Sequence, residues 1–195
     1  MAVHPQLPNA ITIARILCAP VFLWLLLADG GDDGGLRWAA AVLFIVAIAT
    51  DGVDGYIARR YKIVSDLGKL LDPIADKALT GVAFVGLSIL GELPWWITVI
   101  VLVREVGITV YRFLVVSDHV LAAAWMGKLK TVFQALALSI ALIPLAGVSD
   151  AAAWQGAVWW VSVVTMTLAV ALTIASGIDY IVTEVRAARK NRQGR

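Results

Sequence analysis

Six apolar runs of roughly twenty residues each, separated by short clusters of Gly, Asp, Pro or basic residues, leave this 195-residue chain few folds to choose from. About 20 helical residues cross the roughly 30 Å hydrocarbon core of a bilayer, and only helices and closed barrels satisfy their backbone polar groups there. The runs lie at about residues 10–28, 37–58, 73–90, 95–116, 127–147 and 154–182. The Gly and Asp cluster DGGDDGG closes the first, the turn GELP parts the third from the fourth, and the pairs Trp95–Trp96 and Trp159–Trp160 read as interfacial anchors. A mean hydropathy of +0.86 with only 15% charged residues excludes an ordinary soluble domain. The expected fold is all-α: a single polytopic membrane domain over residues 1–195 with six transmembrane helices.

Lys and Arg gather on one side of that layout, which by the positive-inside rule is the cytoplasm. Arg59, Arg60, Lys62 and Lys69 lie between runs two and three, Lys128 and Lys130 precede or open run five, and the C-terminal stretch RAARKNRQGR follows run six. The opposite loops hold acids and only Arg37. Both termini are therefore expected to be cytoplasmic. The first residues lack the basic start and cleavage site of a signal peptide, so the first run is expected to stay as a membrane helix. Cys18, the single cysteine, sits in an apolar run and reads as a packing residue.

Against this background four carboxylates at one membrane boundary need an explanation, because an unpaired charge near hydrocarbon costs kilocalories. Asp51 and Asp54 are three apart, and Asp72 and Asp76 are four apart, so on helices each pair projects from one face. Carboxylates are hard oxygen donors suited to Mg²⁺ or Mn²⁺, and no His or Cys lies nearby to favour zinc. Two such ions per active site, gripping a phosphate ester or anhydride, is the reading these acids support. Gly55, Ala58 and Gly68, taken singly, suit tight helix packing; interspersed among the acids, they also let a ligand approach the backbone.

The order Asp51, Asp54, Gly55, Ala58, Arg59, Gly68, Asp72, Asp76 resembles the signature of the CDP-alcohol phosphatidyltransferases at all eight positions and all spacings. The resemblance implies a six-helix membrane enzyme of phospholipid biosynthesis, usually a homodimer, that moves a phosphatidyl group from CDP-diacylglycerol to an alcohol and releases CMP. It implies that Asp51, Asp54 and Asp72 hold the metals, and that Asp76 shares in ligation and is the catalytic general base. Gly55, Ala58 and Gly68 would make room for the CDP-lipid, and Arg59 would sit beside its diphosphate.

Acceptor choice is expected to lie in cations outside the signature. Arg104 and Arg112 in REVGITVYR, with Lys128 and Lys130 in MGKLKT, are the candidates for an acceptor phosphate site. Snorkelling towards headgroups is the plainer reading of Arg112 and Lys130; Arg104 can pair locally with Glu105, but an arginine at that depth more often lines a cavity. These segments, the run LLDPIADK and the opening PNAITIARI resemble the bacterial phosphatidylglycerophosphate synthase branch, whose acceptor is glycerol 3-phosphate. By the same resemblance Asn9, Thr12 and Arg15 are supporting residues, although Arg15 also suits an interfacial anchor. The implied location is a bacterial cell membrane with the active site at the cytoplasmic face among membrane lipids, and no nucleic-acid partner is expected. Cardiolipin synthases and phosphatidylinositol phosphate synthases of the same superfamily are the nearest rivals. A cation or proton transporter is the non-enzyme alternative. It is disfavoured because the acids cluster at one face and no internal repeat links the two halves.

Overall fold

The computed structural model describes residues 7–32, 34–61, 66–114, 124–144 and 152–193, with side chains described for 13–32, 34–50, 77–111, 126–144 and 156–186. Among the described residues six helices follow one another: α1 (Leu7–Ala28), α2 (Gly35–Tyr61), α3 (Asp66–Ile89), α4 (Trp95–Leu114), α5 (Ala124–Leu142) and α6 (Ala152–Gln193). No strand occurs among the described residues. Positive φ angles at Gly30, Gly31 and Gly91 mark the turns after α1 and α3, where a glycine has no Cβ to clash.

Three helix boundaries depart most clearly from the apolar runs, one of them the end of α5 at Leu142, short of the expected end near residue 147. Helix α3 begins at Asp66, ahead of the start expected near Pro73, so the whole second half of the acidic motif is helical. Its first turns are polar, which is why no hydrophobic run announced them. Helix α6 continues past the sixth run to Gln193, because Ala, Arg, Lys and Gln are good helix formers whether or not a bilayer surrounds them.

Helix α1 packs on α3 and α2, α5 packs along α6, α2 and α3 reach α5, and α4 bridges α3 and α6. The fully buried core contains Phe22, Leu26, Phe44, Leu79, Phe84, Leu87 and Leu138, with the Phe22 and Phe44 rings 5.6 Å apart. A Cβ at Gly86 would lie 2.7 Å from Leu26 Cδ2 and 3.3 Å from Leu23 Cδ1, so this glycine sets how closely α1 and α3 approach.

Much of the outer surface is apolar. Leu17, Trp24, Val46, Val103, Val132 and Ile181 are all exposed, on five different helices. Among the residues with described side chains, one segment, Gly156–Arg186, is by length and composition long and apolar enough to cross a membrane; Ile13–Ala28, Gly35–Thr50 and Lys77–Ile89 are shorter apolar stretches. Cys18 is half-buried rather than fully enclosed.

At the end of the bundle away from the acidic motif, Asp29 accepts from the backbone N–H of Gly34 (3.2 Å) and Arg37 (3.1 Å), satisfying donors at the start of α2. Arg37, only 3% exposed, makes a bidentate ion pair with Glu92 and donates to the carbonyls of Leu142 (3.3 Å) and Ala141 (3.0 Å) at the end of α5. The one cation assigned to this side by sequence is thus a staple joining α2, the α3–α4 turn and α5. Gly86→Val, which puts branched bulk against Leu23 and Leu26, is expected to lower stability by about 1–3 kcal/mol, read as a lower unfolding temperature in detergent.

Candidate active site

The backbone carries Asp51 and Asp54 in the last turns of α2 and Asp72 and Asp76 in the first turns of α3, so both acid pairs keep their three- and four-residue spacing on helices. The side chains of Asp51, Asp54, Gly55, Ala58, Arg59, Gly68, Asp72 and Asp76 lie outside the described residues. So do those of Asn9, Thr12 and Arg112, and His4 and His119. As a donor set, four carboxylates on two helices joined by a four-residue segment fit Mg²⁺ or Mn²⁺, hard cations that take oxygen ligands.

Lys77, the residue after Asp76, leads from the motif into the bundle. Its ammonium donates to Thr109 Oγ1 on α4, and the Thr109 hydroxyl donates to the carbonyl of Glu105 at 2.6 Å. Glu105 is the centre of a buried charge cluster. Its Oε1 accepts from Arg104 at 3.0 Å and from Lys130 of α5. Arg104 also donates through Nη2 to Ser176 Oγ of α6 at 3.0 Å. Lys130 is 3% exposed and Glu105 8%, so neither side chain snorkels.

The surroundings of the cluster are built for it. Ser176 Oγ donates to the Thr173 carbonyl at 3.1 Å, and Gln134 Nε2 donates to Thr173 Oγ1 at 2.9 Å, tying α5 to α6 one turn further in. A Cβ at Gly177 would come 3.3 Å from Arg104 Cγ, so the missing side chain makes room for the arginine stem. Arg104 Nε is buried with no partner among the described residues. Nearer the end of α4, Tyr111 donates to Glu184 at 3.2 Å and meets the Tyr180 ring edge-on at 5.8 Å.

The four candidate acceptor cations therefore fall into different settings. Arg104 and Lys130 meet on one carboxylate, Lys128 is exposed, and the Arg112 side chain lies outside the described residues. Arg104 does form the local pair with Glu105, yet one of its nitrogens is left over. Arg15 is buried at 5%, unlike an interfacial anchor in contact with headgroups. Lys77, Thr109, Gln134, Thr173 and Ser176 were not singled out by sequence. Their signal was nonetheless there, as polar residues spaced three or four apart in otherwise apolar helices. A cavity of about 840 Å³ at the other end of the bundle, lined by Trp96, Ile97, Trp159 and Met166, is mostly apolar and contains none of these residues.

Lys130 and Arg104 share the Glu105 carboxylate, so removing Lys130 strips it of one partner and leaves it the other. Lys130→Met is expected to cost about 1–3 kcal/mol of stability, and Lys128→Ala, on the exposed side, no more than about 0.5 kcal/mol. Thermal unfolding of the two variants in detergent checks the contrast.

The CDP-alcohol phosphatidyltransferase family model matches residues 5–176, which takes in α2, α3 and the charge cluster. A probable phosphatidylglycerophosphate synthase of Mycobacterium tuberculosis (strain ATCC 25618 / H37Rv) is 43% identical over 181 residues, 93% of this chain and 82% of the relative. A CDP-diacylglycerol–glycerol-3-phosphate 3-phosphatidyltransferase of Bacillus subtilis (strain 168) is 36% identical over 192 residues, 90% and 93% of the two chains. A CMP-forming cardiolipin synthase of Streptomyces coelicolor (strain ATCC BAA-471 / A3(2) / M145) is 40% identical, but over 100 residues, 51% and 46% of the two chains. With the acidic motif in place on α2 and α3 and a family match that spans most of its length, this chain belongs to the CDP-alcohol phosphatidyltransferases.

Proposed function

We propose that the protein transfers a phosphatidyl group from CDP-diacylglycerol to sn-glycerol 3-phosphate, giving phosphatidylglycerophosphate and CMP. The observation that carries this reading is the contact path from Lys77, adjoining Asp76, through Thr109 to the backbone carbonyl of Glu105, whose buried carboxylate is shared by Arg104 and Lys130. Cations held at that depth suit an acceptor that brings its own phosphate. Relatives named for this reaction align over most of the chain, whereas the relative named cardiolipin synthase aligns over about half of it.

In this scheme Asp51, Asp54, Asp72 and Asp76 hold two divalent ions, whose charge offsets that of the CDP diphosphate. Gly55, Ala58 and Gly68 leave space for the nucleotide, and the Arg59 guanidinium lies beside the diphosphate without a proton equilibrium of its own. Arg104 and Lys130 bind the acceptor's phosphate and so place its free hydroxyl, with Arg112 and Lys128 nearer the entrance. A carboxylate oxygen of Asp76 takes the hydroxyl proton as the acceptor oxygen bonds to the lipid-bearing phosphorus. The bond from that phosphorus to the CMP oxygen breaks, and CMP leaves with the electron pair. Asn9, Thr12 and Arg15 of α1 support the site.

The helices span a bacterial cell membrane six times, with both termini and the acidic motif at the cytoplasmic face, and the protein works as a homodimer. The exposed apolar side chains around the bundle support this placement, since a surface of that kind is stable against lipid. Purified protein given CDP-diacylglycerol and Mg²⁺ is expected to release CMP on addition of glycerol 3-phosphate, and not with phosphatidylglycerol or inositol phosphate. Release with phosphatidylglycerol alone would instead identify a cardiolipin synthase. Asp76→Asn is expected to abolish release while CDP-lipid binding persists; loss of that binding would make Asp76 chiefly a metal ligand.

A further inference from the structure

We infer that Glu105 is the positioning residue of the acceptor phosphate site, keeping Arg104 and Lys130 together on one carboxylate oxygen. The inference rests on the reading of those two cations given above. Arg104 comes from α4 and Lys130 from α5, and two like charges this deep repel one another unless an acid lies between them. Glu105 supplies the acid, since its Oε1 takes both contacts.

The rest of the Arg104 side chain is fixed by α6. Ser176 holds Nη2, and Gly177 leaves space for the stem, so Nη1 and Nη2 are both engaged while Nε, buried, has no partner among the described residues. A buried donor without an acceptor costs more than a satisfied one, and an arriving phosphate oxygen is a strong acceptor. Around Glu105, Arg104 and Lys130 outnumber the one carboxylate, and the Lys77 ammonium on Thr109 adds to that positive excess. That excess attracts a phosphorylated alcohol and still lets the phosphorylated product go. Glu105 itself touches no substrate; it acts through the cations.

Three variants measured side by side test the inference. Arg104→Ala and Glu105→Gln are each expected to raise the KM for glycerol 3-phosphate about tenfold while the KM for CDP-diacylglycerol stays within about twofold. Glu105→Asp, which keeps the charge and shortens the reach, is expected to fall between native and Glu105→Gln. If Arg104→Ala raises the acceptor KM and Glu105→Gln does not, the positioning role is overturned and the acceptor site stands. If Arg104→Ala also leaves it unchanged, the acceptor reading falls and takes this inference with it. A rise in both KM values alike would reduce Glu105 to a structural residue. Should Glu105→Gln fail to fold, Glu105→Asp decides alone: a rise confined to glycerol 3-phosphate supports the inference, and a rise in both or in neither overturns it.

Discussion

The bundle is governed by the cost of placing charge among apolar helices. Its interior is Phe, Leu, Val and Ala, and much of its outer surface is apolar too, so a charged side chain has little water to fall back on. The described buried charges answer that cost with partners. Arg37 spends its guanidinium on Glu92 and two carbonyls at one end, and Glu105 shares a carboxylate oxygen between Arg104 and Lys130 towards the other.

The two clusters differ in how completely their cations are matched by acceptors. Around Arg37 the donors are matched to acceptors at helix ends that need them, and the result is a staple. Around Glu105 there are two cations for one acid, with an arginine nitrogen left over, in a network that begins at the residue following Asp76. A staple has no reason to keep a surplus charge at such depth. In the proposed scheme that surplus is what meets the phosphate of the acceptor.

Much of the architecture was legible because membrane helices are written as long apolar runs closed by Gly, Pro and Asp. The runs failed where helicity does not depend on hydrophobicity: α3 starts at Asp66 among polar residues, and α6 carries its basic stretch to Gln193. The acidic motif was legible through its spacing, which survives as three and four residues on helices. The charge cluster was only half legible. Arg104 stood out as a cation in an apolar run, but its partners on α5 and α6 are close only through tertiary packing, and a single small polar residue such as Ser176 or Gln134 looks like any other interruption.

In the proposed scheme the buried cations Arg104 and Lys130 recognise the acceptor's phosphate. Comparing kcat/KM for glycerol 3-phosphate and for glycerol, at fixed CDP-diacylglycerol and Mg²⁺, tests it most directly. The account predicts that the native enzyme prefers the phosphorylated alcohol by about a hundredfold or more, because glycerol leaves the cations of the site without an anion. Equal use of the two alcohols would contradict it.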